Sequence, residues 1–347
     1  MSIIFSLLIL CLVVVVHEYG HLLAAKANGI NVTEFWVGFG PKLFSFERKG
    51  TRYCLRLIPL GGACVFEDDN GEEDYVPGPG AFMSASVYSR IVTVVAGPFF
   101  NFVLAFFLSV IVLGLSGYST TELASVTPGS PAEEAGLMAG DRIIKMDNER
   151  VHLFEEVQLN TQFSRGETTA ITYERNGERN TVYITPEYNE EYGRYLFGIT
   201  GGITDKDQNF FSTLRYSVYY VQFWIKNVFK SLGALVTGRV RLNEMSGVVG
   251  VAAAVDDVYQ ESKSYGALMV LINMLNIAVL LSANLGVVNL FPIPGLDGGK
   301  LLLYIVEIFR GKQIDRQLEG KISLVGFAAL MLFTAIVMYN DIVKLFK

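Results

Sequence analysis

His17-Glu18-Tyr19-Gly20-His21 sets two imidazoles four residues apart with a carboxylate between them. On a helix, positions four apart share a face, so His17 and His21 can grip one metal ion. Glu18 lies about 100° round the helix, where it can reach a water on the metal rather than the metal itself. The chemistry implied is metal-assisted hydrolysis of a peptide bond. The motif closes an apolar run: from Ile3 to Val16 nothing is charged, and Ser6 is the polar exception. Ionisable groups at such depth in a membrane-length segment are costly, so a functional role is the default. A cleaved signal peptide fits poorly, because residues 1–16 contain no Lys or Arg. Three His occur in 347 residues, and two of them fall in this one pattern.

Two imidazoles need a third protein ligand and an open position. Residues 289–299, Asn-Leu-Phe-Pro-Ile-Pro-Gly-Leu-Asp-Gly-Gly, supply a candidate. Two prolines unwind the end of an apolar segment, paired glycines allow close backbone approach, and Asp297 is the single carboxylate presented there. Irregular backbone at membrane depth is tolerated where it is buried in protein or lines a wet cavity. Two His and one carboxylate favour zinc, with iron or cobalt as alternatives.

The elements that must position these groups are legible in outline. The chain is 51% hydrophobic and 18% charged, with a mean hydropathy of +0.37. A soluble chain carries about a quarter charged residues, so this composition fits a polytopic membrane protein with a soluble part. The net charge of −6 argues against a nucleic-acid partner. Cys11, Cys54 and Cys64 suit neither a zinc ribbon nor a disulfide framework. Residues 3–27, 91–115, 268–291 and 322–338 are long and apolar enough to span a bilayer. Pro98 is expected to kink the second span. Asn273, Asn276, Asn284 and Asn289 need partners in the third and should face the bundle interior. Seven Lys or Arg, Arg90 among them, lie between spans one and two, five lie between spans three and four, and the N-terminal flank has none. The positive-inside rule then puts both short loops in the cytoplasm, and both termini and the long middle segment outside.

Within a hairpin region at 34–66, residues 42–46 and 51–58 flank Lys49-Gly50 as paired strands, and Gly61-Gly62 is expected to end the second. The free edge of this cytoplasmic-side hairpin could take up an extended peptide by strand addition. The acidic run 67–74 reads as a solvated loop. From 120 to 204 the pattern is that of a small soluble domain. Ser130 and Pro131 open a short helix, strands fit 140–146, 168–174 and 181–184, and Asn176-Gly177 makes a turn. His152 falls on a surface loop there and receives no catalytic role. In the linker 205–266, residues 210–230 place aromatics on a helical spacing with Lys226 and Lys230. That pattern suits an amphipathic helix at the outer membrane interface.

These motifs together resemble the bacterial site-2 proteases, intramembrane zinc metalloproteases that include the regulator of sigma-E protease. His-Glu-x-x-His, Gly38-Phe39-Gly40, Gly97-Pro98 with Asn101, the Ser130-Pro-Ala-x-x-Ala-Gly-Leu-x-x-Gly-Asp signature of a PDZ domain, and Asn289-x-x-Pro-x-Pro-x-Leu-Asp-Gly-Gly follow in the family's order. The implied fold is four transmembrane helices with a cytoplasmic-side β-hairpin and an inserted extracytoplasmic α+β PDZ domain. The resemblance implies zinc held by His17, His21 and Asp297, with Glu18 as catalytic base. It also implies substrate contacts at Asn289, Gly38, Phe39 and Gly40. Implied substrates are single-span membrane proteins, among them anti-sigma factors or remnant signal peptides, in some cases after a prior cut. The implied place is the bacterial inner membrane, with the active site near the cytoplasmic side. One PDZ domain stands where some family members carry two. A catalytically silent PDZ scaffold would lack Glu18 or a ligand, and none is lacking. A metal transporter would string ionisable groups along a path rather than gather them at peptidase spacing.

Overall fold

A computed structural model describes residues 2–67, 78–202, 208–238 and 247–345. All but Glu67 of the acidic run 67–74 lies outside the described residues, as do 205–207 and 239–246 of the linker. In chain order the first elements are α1 (Ser2–Ala27), β1 (Val32–Arg48), β2 (Thr51–Phe66) and α2 (Val87–Ser116). The middle of the chain carries β3 (Leu123–Val126), α3 (Pro131–Glu134), β4 (Arg142–Met146), β5 (Glu149–Arg150) and α4 (Phe154–Gln162). After these come β6 (Thr169–Arg175), β7 (Glu178–Ile184), β8 (Glu187–Asn189), β9 (Arg194–Leu196), β10 (Ile199–Gly201) and α5 (Phe210–Val236). The chain ends with α6 (Val248–Lys263), α7 (Ala267–Asn289), α8 (Asp297–Arg310) and α9 (Arg316–Leu345). It divides into two compact units, residues 1–108 with 240–347, and residues 109–239.

The first unit is helical apart from the β1–β2 hairpin, and among the described residues the helices long and apolar enough to cross a membrane are Ser2–Ala27, Val87–Ser116, Ala267–Asn289 and Gln317–Lys344. Their hydrogen bonds are internal, which is what a span requires. α1 ends where Gly29 takes φ +72° and the Ile30 amide donates to the Ala25 carbonyl at 2.9 Å, a left-handed cap that suits glycine. Leu22, Ala25, Ile30, Val32, Phe35, Phe82, Val94 and Tyr304 form one buried cluster that joins α1, the hairpin, α2 and α8. The hairpin turns at Lys49 and Gly50, both at positive φ. It is longer than the alternation suggested. Residues 34–37 pair with 62–65 on one side and 52–55 on the other, while 44–48 pair with 51–55. Gly61-Gly62 therefore lies inside β2 rather than ending it. Gly61, at φ +77°, bends the strand beneath the Phe39 ring, where a Cβ would sit 2.3 Å from Phe39 Cε2. Arg90, counted above as a loop charge, is 2% exposed. It donates to both carboxylate oxygens of Glu307, with Nη1 to Oε2 at 3.2 Å, and its guanidinium covers Tyr304. Asn273 of α7 donates to Ser262 of α6 at 2.7 Å, so this carboxamide does find a partner inside the bundle.

The second unit holds the last turns of α2, a four-stranded sheet in the order β5-β4-β6-β7, two small strand pairs and α5. Leu123, Ile143, Met146, Phe154, Val157, Ile171, Ile184 and Phe197 fill its core. Ser130 caps α3 by accepting from the Glu133 amide, and Pro131 stands at the first turn. Asn176-Gly177, both at positive φ, joins β6 to β7. α5 runs unbroken for 27 residues. Part of its polar face is taken up by this domain. Lys226 Nζ donates to the buried Glu156 at 2.5 Å, Lys230 donates to Asn160, and Tyr219 stacks on His152 with centroids 3.9 Å apart.

Candidate active site

His17 and His21 come from successive turns near the end of α1 and are both buried. Two glycines let α2 approach them. A Cβ on Gly20 would sit 2.5 Å from the Ala96 carbonyl oxygen, and one on Gly97 would sit 2.3 Å from His21 Nε2. The bare stretch of α2 thus backs directly onto the imidazoles. His21 Nδ1 lies 2.8 Å from the Thr93 carbonyl oxygen, which can only accept, so Nδ1 carries a proton and in the neutral imidazole Nε2 is the bare lone pair. His17 Nδ1 lies 3.1 Å from Asn101 Nδ2, on a fully buried carboxamide whose Oδ1 is unpartnered. With the carboxamide turned end for end, Oδ1 takes that place and accepts from Nδ1–H, which in the neutral imidazole leaves Nε2 bare.

Asp297 opens α8, where Gly298 and Gly299 fold the first turn back on the loop before it. A Cβ on Gly298 would lie 2.1 Å from the Phe291 carbonyl, and one on Gly299 2.5 Å from that of Ile293. This brings Asp297 Oδ2 to 3.1 Å from His17 Nε2 and 3.4 Å from His21 Nε2, while the two Nε2 atoms are 3.2 Å apart. With both imidazoles neutral and protonated on Nδ1, these three atoms are all acceptors and Asp297 Oδ2 is left without a donor. A cation satisfies all three at once. A tetrahedral ion with bonds of about 2.0–2.1 Å has edges of about 3.3–3.4 Å, close to this triangle. The residues fit a zinc ion by donor type, by spacing and by the Thr93 and Asn101 contacts behind the two imidazoles.

Glu18 stands outside the triangle. Its Oε2 accepts from the Cys64 amide of β2 at 3.0 Å, and a Cβ on Gly62 would lie 3.3 Å from its Cγ. Asn289, the last residue of α7, holds its amide 3.4 Å from His17 Nε2. Gly38 and Gly40, at φ +85° and +86°, form the bend between the two halves of β1. The half-exposed Phe39 ring packs edge-on against Trp36, 5.3 Å between centroids. It is Cys64, rather than residues 38–40, that hydrogen-bonds Glu18. Sequence reasoning gave no role to Thr93 or Cys64, because each acts through its main chain, which leaves no trace in residue type. Asn101 was visible, but its partner was not.

Membrane-length helices, with a metal-fitting His-His-Asp group built on the first of them and on the loop end of α8, define an integral membrane metallohydrolase. The peptidase family M50 model matches residues 5–333, and the chain belongs to that family, as an intramembrane zinc metalloprotease. Zinc metalloprotease RasP of Geobacillus kaustophilus is 30% identical over 423 residues, covering 99% of this chain and 98% of that one. Regulator of sigma-W protease RasP of Bacillus subtilis is 28% identical over 410 residues, covering 95% of each. A solved PDZ domain of an SdrC-like protein from Listeria monocytogenes is 25% identical over 24% of this chain and 88% of its own, with a TM-score of 0.23.

Proposed function

We propose that His17, His21 and Asp297 hold the zinc ion and that Glu18 is the general base for hydrolysis of peptide bonds within membrane-spanning substrate segments. The observation that carries this reading is the meeting of three ligand atoms, His17 Nε2, His21 Nε2 and Asp297 Oδ2, 3.1–3.4 Å apart. Zinc, when bound, polarises a carbonyl and lowers the pKa of water to about 7. Glu18, held by the Cys64 amide, takes a proton from the attacking water and passes it to the leaving amine. Asn289 faces the same point and can donate to a substrate carbonyl. A helical substrate must unwind before its backbone can be cut. Residues 62–66 pair within the sheet on one side, so a strand laid along their other edge would run past Glu18. Gly38, Phe39 and Gly40 shape that sheet and would hold the strand indirectly.

Residues 120–204 act in this reading as a PDZ domain outside the cytoplasm, screening substrates by their outer ends. Both termini lie on the same side, and the zinc site lies towards the cytoplasmic face of the cell membrane. Single-span regulators of sigma factors are the substrates favoured, by analogy with the relative named as a sigma-W regulator. The test is zinc content beside cleavage for purified variants. His17→Ala, His21→Ala and Asp297→Ala should each lose zinc and activity. Glu18→Gln should keep one zinc per chain and lose about 10²–10⁴ in rate. Full zinc in Asp297→Ala, or full activity in Glu18→Gln, would refute the assignment.

A further inference from the structure

Far along the chain from the zinc ligands, the second unit concentrates positive charge that its fold leaves unspent. A cavity of about 310 Å³ is lined by Arg142 of β4, Arg150 of β5, Arg179, Arg215 of α5, His152 and Tyr219, and no carboxylate lines it. The chain as a whole is acidic, at −6. Arg215 Nε donates to the Tyr219 hydroxyl at 3.0 Å, and Arg179 Nε to Glu174 at 3.3 Å. Among the described residues no side-chain hydrogen bond or ion pair engages Arg142 or Arg150. Like charges gathered in a concavity repel unless an anion joins them.

The walls are firm. Tyr219 stacks on His152 at 3.9 Å, Tyr216 on Tyr118 at 3.8 Å, and Arg150 pairs with Lys145 across β4 and β5. Burial lowers the His152 pKa first, and Lys226, Arg215 and Arg150 lower it further against the opposing pull of Glu156.

Position narrows the ligand. Tyr118 lies two residues beyond the end of α2, a helix of membrane length. Gln208, just before α5, donates to the Leu113 carbonyl in the last turns of α2 at 2.7 Å. The cavity is therefore anchored where that span leaves the hydrocarbon, at headgroup level. We infer that this four-arginine cavity binds a phosphate group, that of an anionic phospholipid headgroup in the adjoining leaflet. Guanidinium pairs suit phosphate oxygens, and a bilayer surface presents that anion continuously.

The experiment uses the full chain in dodecyl maltoside with equimolar phosphatidylglycerol and phosphatidylcholine of matched acyl chains, retained lipid being counted by native mass spectrometry. The wild type should retain phosphatidylglycerol about tenfold over phosphatidylcholine, and Arg142→Gln/Arg150→Gln should lose that preference. Equal retention of both lipids by the wild type, or a preference that survives the double substitution, would overturn the site. Should the double variant unfold, Arg215→Gln replaces it under the same criteria. A second readout is the ¹⁵N-histidine titration of His152 in phosphatidylcholine nanodiscs. Added phosphatidylglycerol should raise its pKa, because an anion favours imidazolium. An equal rise with inorganic phosphate alone would keep the anion site and overturn the lipid as its source. A rise with hexaglutamate but not with phosphatidylglycerol would assign the cavity to acidic peptides and overturn the proposal.

Discussion

Two protons decide whether this site can bind a metal. His21 is set by the Thr93 carbonyl and His17 by the Asn101 carboxamide when its oxygen faces Nδ1, each bond then holding Nδ1 so that Nε2 is free. Asn101→Ala should therefore weaken zinc binding about 10–100-fold, while Asn101→Asp, which still accepts from Nδ1–H, should largely restore it; competition with a chromophoric chelator measures both. Gly97→Ala tests the approach of α2. Its Cβ would fall 2.3 Å from His21 Nε2 and 2.9 Å from His17 Cε1, so the rings must shift. A misplacement near 1 Å should cost about 10²-fold in cleavage, read as kcat/KM on one substrate with folding checked by circular dichroism. At this scale the sequence was most legible where function repeats on a helical period, as in His17 and His21. It was silent where a main-chain atom acts, as at Thr93 and Cys64.

Elements were legible in proportion to how local their causes are. Hydropathy located the four spans, and Ser130, Asn176-Gly177 and Lys49-Gly50 marked a cap and two turns by their own chemistry. The hairpin was seen only in part, because residues 32–37 and 62–66 are paired by a contact distant in sequence rather than by alternation. Arg90 misled for a similar reason: a lone arginine beside a span reads as a loop charge until Glu307, 217 residues on, is seen to meet it. α6 had no signature, since its first turn is held from elsewhere. Asp341 of α9, 3% exposed, accepts from the amides of Gly247 and Gly250, both at 2.8 Å. Asp341→Ala should lose this cap, at roughly 1–2 kcal/mol. Hydrogen exchange in the first turn of α6 should then accelerate about 5- to 30-fold while α1 is unchanged. Unaltered exchange there would show that the cap contributes nothing.

For the whole molecule, the proposed reading places the chemistry in the unit formed by residues 1–108 and 240–347 and none of it in residues 109–239. His17, Glu18 and His21 stand near one end of the chain and Asp297 near the other, with residues 109–239 forming a separate compact unit between them. In the proposed reading zinc chemistry is assembled from α1 and α8 against the bare face of α2, and α1 and α2 are helices of membrane length. The most direct test of cleavage inside the bilayer is to reconstitute the purified chain with a tagged single-span protein in liposomes and map the cut by mass spectrometry. The expected result is a scissile bond within the substrate's apolar segment, absent with Glu18→Gln and with a zinc chelator, and restored by added zinc. Cuts confined to the soluble flanks, or cutting by Glu18→Gln at the wild-type rate, would contradict an intramembrane protease built on this site.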